Sequence, residues 1–242
     1  MEIEACLKKA AAEAELKLSP DTMERLCLHW RLLMEANARF NITAITHEEA
    51  AAYLHYLDCL LAAEAAAEAV AELSSPARCA DIGSGGGFPG LVMAAAKPAL
   101  SFTLIESANK KADFLAEAAK AMGTDIQVEP LRAEEAGREE GLRNSFDLVT
   151  ARAVAELSVL AEYALPLLKE GGVFLALKGP DPAEETENAA RALEILGGSL
   201  EQVREYTLPG GEKRTLLYIR KTAPTPEKYP RRPGMPTKKP LR

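Results

Sequence analysis

No apolar run in this 242-residue chain is long or uncharged enough to span a bilayer. The start, Met1-Glu2-Ile3-Glu4, is acidic and lacks the basic-then-apolar order of a secretory leader. Cysteine is scarce. Cys6, Cys27, Cys59 and Cys79 form no C-x-x-C pair and stand in apolar or helical contexts. That pattern argues for reduced, buried thiols and a cytoplasmic setting, and a metal site is not expected. Internal repeats are also absent. What remains is a chain with 48% hydrophobic residues, enough to bury the core of one large α/β domain with an extension.

Charge is unevenly placed. The formal net charge of -7, taken alone, argues against a polyanion partner. Yet Arg220 to Arg242 holds eight Lys/Arg against the single acid Glu227, so that segment is +7 and residues 1–219 carry -14. Such an end is read either as a solvated, solubilising tail or as an arm that meets phosphates. Tyr229, Pro230, Pro233, Gly234 and Pro236 look like a shaped loop more than filler.

The first third reads as helices. Ser19-Pro20-Asp21 is a start signal, a capping hydroxyl before Pro at the first helical position, and Leu26, Trp30, Leu33 and Met34 follow at helical spacing. Thr46-His47-Glu48-Glu49 reads as a capping box opening an Ala-rich helical region that runs to about Leu73 and is closed by Ser74-Ser75-Pro76. Beyond Ala77, strands are expected at 78–82, 101–106, 125–129, 146–151, 171–178, 199–207 and 213–220. Helices are expected near 89–97, 108–122, 156–168 and 183–196. Alternation of this kind implies a mostly parallel sheet covered on both faces. Pro209-Gly210-Gly211 is too short for a helical crossover, so the last two strands should pair antiparallel. The division expected is 1–73 as an N-terminal helical extension, 74–221 as the core and 222–242 as a basic, Pro-rich C-terminal segment.

The stretch Cys79-Ala-Asp81-Ile-Gly83-Ser-Gly85-Gly86-Gly87-Phe88-Pro89-Gly90 carries the most chemistry. Gly85, Gly87 and Gly90 fit the dinucleotide fingerprint, whereas Gly83, Gly85 and Gly87 fit the G-x-G-x-G loop of methyltransferases. Gly83 follows the strand directly. Asp81 suits the ammonium of S-adenosylmethionine and would repel a pyrophosphate, which favours the methyl donor. Glu106, ending the second strand, suits the ribose hydroxyls. Ala133 and Glu134 either meet the adenine amino group or simply belong to a capped helix start over Arg132 to Glu135. Phe88 either packs on the methionine end or plugs the loop. The fold these features imply is a class I S-adenosylmethionine-dependent methyltransferase, Rossmann-like, with a seven-stranded mostly parallel sheet and an N-terminal helical extension.

Further motifs combine with the loop: Asn41-Ile-Thr-Ala-Ile45, His55-Tyr-Leu-Asp58, Ala151-Arg152-Ala153, Leu177-Lys178-Gly179, and Tyr229-Pro-Arg-Arg-Pro-Gly234 running into Lys238-Lys-Pro-Leu241. With these the chain resembles, over nearly its whole length, the RsmG (GidB) family of bacterial ribosomal RNA methyltransferases. The resemblance implies methyl transfer from S-adenosylmethionine to N7 of one guanine in 16S rRNA, with 16S rRNA or the small ribosomal subunit as partner. It also implies that Gly83, Phe88, Ala133, Glu134 and Arg152 contact the cofactor or line its pocket.

Other absences agree with that chemistry. There is no Asp/Asn-Pro-Pro-aromatic motif after the fourth strand and no Pro-Cys or Thr-Cys nucleophile. N7 carries a free lone pair, so its methylation needs alignment more than a general base. Arg152 is the candidate positioning residue, with an ion pair to Glu156 as the plain alternative. His55 and Asp58 share a helical face and read as structural. Lys178 is a candidate phosphate contact, and Lys213, Arg214, Arg231, Arg232, Lys238 and Lys239 are candidates for an RNA-facing rim. Nothing demands a dimer, so a monomer is expected. Rival readings are a small-molecule methyltransferase, an NAD-linked oxidoreductase and a non-catalytic RNA-binding assembly factor.

Overall fold

The computed structural model describes residues 2–73 and 76–241; the expected closing pair Ser74-Ser75 lies outside the described residues. The N-terminal third holds α1 (Glu2–Glu13), α2 (Pro20–Asn37), α3 (Glu48–Ala51), a π-helical turn (Ala52–Leu57) and α4 (Asp58–Val70). The core follows as β1 (Ala77–Ile82), α5 (Gly90–Ala96), β2 (Leu100–Ile105), α6 (Asn109–Ala121), β3 (Gln127–Glu129), α7 (Ala133–Ala136) and β4 (Phe146–Arg152). It ends with α8 (Leu157–Ala164), β5 (Leu168–Lys178), α9 (Ala183–Leu196), β6 (Gly198–Thr207), β7 (Lys213–Lys221) and a last turn, α10 (Met235–Lys238).

Ser19 caps α2 as its sequence predicts, its Oγ accepting the Thr22 N–H at 3.0 Å with Pro20 at the first position. The capping box expected at Thr46 does not form. His47 is the N-cap residue of α3, no side chain caps that end, and the second helical region stops at Val70 rather than Leu73. The helix starts one residue later than that box requires, with His47 rather than Thr46 in the extended N-cap conformation (φ -91°, ψ 127°).

The seven strands form one sheet in the order β3-β2-β1-β4-β5-β7-β6. β3 through β5 are parallel and β7 runs antiparallel to both β5 and β6. Strand side chains alternate between two cores, as period-2 geometry requires. Leu148, Leu175 and Leu177 face the side covered by α1, α2, α4, α5 and α6. Val149, Phe174 and Ala176 face the side covered by α8, α9 and the C-terminal segment. The N-terminal helices share one continuous apolar cluster with the sheet, from Ile3 and Leu26 through Tyr56 to Leu104 and Tyr218.

Candidate active site

β1 ends in the glycine loop at the carboxyl edge of the parallel strands, where open α/β sheets hold their ligands. Gly83 and Gly85 have φ of 69° and 55°, a region open to glycine at little cost. A Cβ on Gly85 would meet only the Gly83 carbonyl at 3.8 Å, so the loop presents bare backbone to an open cradle. Beside it stands Glu106, buried, accepting the Gly85 N–H at 3.0 Å on Oε2 and the Ala108 N–H at 2.8 Å on Oε1. A carboxylate offers about four acceptor sites, so a lone pair remains on each oxygen for a pair of hydroxyls.

Asp81 points the other way. It is fully buried, its Oδ2 accepting the Gly90 N–H at 3.1 Å and its Oδ1 the Thr150 hydroxyl at 2.8 Å. Burial pushes its carboxyl up to about 6, against hydrogen bonds that pull it down. The residue thus closes the loop from beneath, and neither oxygen faces outward to an ammonium. Gly90 is what allows this closeness, because a Cβ there would lie 2.7 Å from the Asp81 Cβ and 2.5 Å from Leu104 Cδ2.

Phe88 plugs the loop. It sits edge-on to His29 and Tyr56 at centroid distances of 5.2 and 5.3 Å and stacks on His55 at 4.4 Å. Arg152, at the end of β4, also lies near this ring, its Cζ 5.3 Å from the centroid. The guanidinium does not pair with Glu156. Nη1 donates to the Leu54 carbonyl at 2.9 Å and to Asp58 Oδ2 at 3.3 Å, and Nη2 donates to His55 Nδ1 at 2.9 Å. His55 therefore carries its proton on Nε2 and donates to Thr43 Oγ1 at 3.0 Å. Burial, followed by the Arg152 charge, holds its imidazole down at about 3.

His29 escaped the sequence reading. It is fully buried on α2, donating from Nε2 to the Gly86 carbonyl and accepting at Nδ1 from the Tyr56 hydroxyl, both at 2.8 Å. Burial holds it down at about 4. Its signal was its place on the apolar stripe Leu26, Trp30, Leu33, where a polar ring has to find partners inside. A groove of about 1100 Å³ lies between α1, α2 and the turn that joins them, lined by Leu16, Met23 and Met34 among others and by none of the glycine loop.

The cations expected at an RNA rim divide in two. Lys213, Arg232, Lys238 and Lys239 are exposed. Lys178 instead donates to Glu185 at 2.6 Å and to the Ala155 carbonyl at 2.9 Å, tying down the loop after Arg152. Arg214 approaches Asp58 at 3.6 Å. Arg231 grips Glu162, which is fully buried, through Nε and Nη2 at 2.6–3.1 Å. The C-terminal segment is accordingly no loose tail. Arg138 and Arg143 bond the carbonyls of Thr225, Lys228, Tyr229 and Pro230. Glu134 accepts the Gly234 N–H at 2.8 Å on Oε1, so its side chain anchors this segment rather than facing the loop. The capped helix start expected over Arg132 to Glu135 is present, with Glu135 accepting the Arg132 N–H at 2.9 Å. Glu162 was also missed, though a lone acid in the otherwise apolar run Leu157–Ala164 is a visible anomaly.

Fold and site together define a class I S-adenosylmethionine-dependent methyltransferase. Solved structures bear out the fold. An S-adenosylmethionine-dependent O-methyltransferase from Thermotoga maritima superposes with a TM-score of 0.51 at 14% identity, over 81% of this chain and 73% of that one. A branched-chain polyamine synthase mutein from Thermus thermophilus does so with 0.54 at 16% identity, over 69% and 56%. Residues 22–216 match the GidB family, rRNA small subunit methyltransferase G, and the chain belongs to it. The protein named ribosomal RNA small subunit methyltransferase G in Symbiobacterium thermophilum is 46% identical over 97% of this chain and 96% of its own length. That of Alkaliphilus metalliredigens is 39% identical over the full length of both.

Proposed function

We propose that this chain transfers a methyl group from S-adenosylmethionine to N7 of a guanine in the 16S RNA of the small ribosomal subunit. The observation that carries the reading is a site built to hold and orient, in which Glu106 is set beside the loop and His29, His55 and Asp81 are turned inward. The open backbone at Gly85 next to Glu106 fits a nucleoside, with the carboxylate lone pairs accepting from its two hydroxyls. When bound, the cofactor supplies an electrophilic methyl on a sulfonium.

The chain's own residues then act by placement. Arg152 keeps Nε–H and one Nη2 hydrogen without a partner among the described residues, so it can hold an anionic or carbonyl group beside the loop. Backbone at Ala133 and Glu134, which follows the third strand, is assigned to the base edge in this reading. His29, His55 and Asp81 are all turned inward and engaged, so none is poised to take a proton at neutral pH. N7 needs none taken, and the barrier is lowered by alignment and exclusion of water. Lys213, Arg232, Lys238 and Lys239 form the RNA-facing rim in this reading, with residues 1–73 bracing the loop, 74–221 carrying the site and 222–242 presenting cations. The protein works as a cytoplasmic monomer.

The decisive experiment uses labelled S-adenosylmethionine and small-subunit particles from cells lacking this protein, followed by digestion to nucleosides. Label in 7-methylguanosine of the small-subunit RNA is expected. Label in another nucleoside removes the N7 assignment, and binding without label on particles or naked RNA removes the activity.

A further inference from the structure

Arg152 is held by two residues that belong to the N-terminal helices rather than to the sheet. Asp58, at the first position of α4, is nearly buried and serves three partners at once. Arg152 Nη1 lies 3.3 Å from Oδ2, Arg214 Nε lies 3.6 Å from the same oxygen, and the Tyr206 hydroxyl donates to Oδ1 at 2.6 Å. Its side chain is 4% exposed and that of Arg152 is 15% exposed. His55, one turn earlier, accepts from Arg152 Nη2 while its ring lies flat on Phe88 of the glycine loop, at an interplanar angle of 22°. The Leu54 carbonyl takes the other Nη1 hydrogen at 2.9 Å. Three of the five guanidinium hydrogens are thereby fixed, and the two left over are presented from a rigid mount.

We propose that His55 and Asp58 are positioning residues for Arg152, with Tyr206 of β6 locking Asp58, so that the N-terminal extension is part of the methyl-transfer site and sets the attitude of its arginine. The inference rests on the methyl-transfer reading for its kinetic arm alone. An arginine free to swing would sample many orientations, and small misplacements in such sites cost large factors in rate.

The test takes the full chain as Asp58→Asn, Tyr206→Phe, His55→Leu and His55→Asn, each alone and with Arg152→Ala. Methyl transfer to small-subunit particles is measured at saturating S-adenosylmethionine, and guanidinium rotation of Arg152 by nitrogen-15 NMR in the protein alone. Asp58→Asn should lower kcat by about tenfold or more and Tyr206→Phe by about threefold, with both effects shrinking below about twofold once Arg152 is Ala. His55→Asn, whose Oδ1 stands where Nδ1 stood, should recover most of what His55→Leu loses. In the protein alone, Asp58→Asn and Tyr206→Phe should speed guanidinium rotation. Equal losses with and without Arg152, or unaltered rotation in both variants, would overturn the proposal. Faster rotation in a protein that transfers no methyl group keeps the positioning role and sinks the methyl-transfer reading instead. Tyr206→Phe removes one hydroxyl and keeps the ring, so it decides the matter if Asp58→Asn fails to fold.

Discussion

His29 and Asp81 titrate in opposite senses beneath the same loop. His29 is depressed from 6.5 to about 4, so its stabilising contribution is complete above pH 6.5 and is lost as pH falls through 4. His55, depressed to about 3, has the same sign. Asp81 is raised from 3.8 to about 6, so its contribution is complete below pH 3.8 and is lost as pH rises through 6. Each of His29 and Asp81 carries about 3 kcal/mol on this scale. Two imidazoles outweigh one carboxyl, and the melting temperature should fall as pH drops from 6.5 to 4. Asp81→Asn keeps an acceptor for the Gly90 N–H and turns its amide to the Thr150 hydroxyl, which then accepts instead of donating; it removes the opposing limb, and the fall should steepen. His29→Gln, which keeps a donor for the Gly86 carbonyl, should flatten it. Melting curves at four pH values check both, and an Asp81→Asn curve parallel to the parent would count against the buried carboxyl titrating as described.

At the level of elements, the C-terminal segment is fastened by Arg231 on Glu162, by Gly234 on Glu134 and by the carbonyls held by Arg138 and Arg143. Removing one partner of a buried pair leaves the other charge uncompensated, at a cost of about 3 kcal/mol or more. Arg231→Ala should lower the melting temperature and open the stretch from Thr222 to Arg232 to limited proteolysis, whereas Arg232→Ala should do neither. Equal cleavage in the two variants would show that the pair does not seat the segment. These fastenings also mark where the sequence stopped being legible. The strands expected at 146–151 and 213–220 and the helix expected near 183–196 could be read because their signals are local: apolar runs, a Pro-Gly-Gly turn, a period of 3.6. Glu106 and the glycines could be read because one loop and one strand end set their places. Glu162 and Arg231 lie 69 residues apart, and Glu134 and Gly234 lie 100 apart. No periodicity reports such pairings, so Arg231 and Lys178 read as free cations when both were already spoken for. Asp58 read as structural and His29 went unnoticed for the same reason, since Arg152, Tyr206 and Arg214 reach Asp58, and the Gly86 carbonyl reaches His29, from distant parts of the chain.

Across the whole molecule, the acidic body and the four exposed cations give a testable electrostatic division. Changing Lys213, Arg232, Lys238 and Lys239 together to Gln should weaken RNA binding and reduce the salt slope by about 3 if all four meet phosphates. Cofactor affinity, set at the glycine loop, should hold. Titrations at several salt concentrations read the slope, and an unchanged slope would move the RNA elsewhere on the surface.

The place of β7 has a different consequence. It is made after β6 yet lies inside the sheet, between β5 and β6. Until it arrives, Val173 to Leu177 of β5 form an apolar strand with one row of N–H and C=O groups bare. β6 shields nothing in the meantime, since β7 is its sole neighbour in the sheet. A chain interrupted short of Lys213 would therefore be worse than inactive: it would carry an adhesive edge, able to recruit its own kind strand by strand.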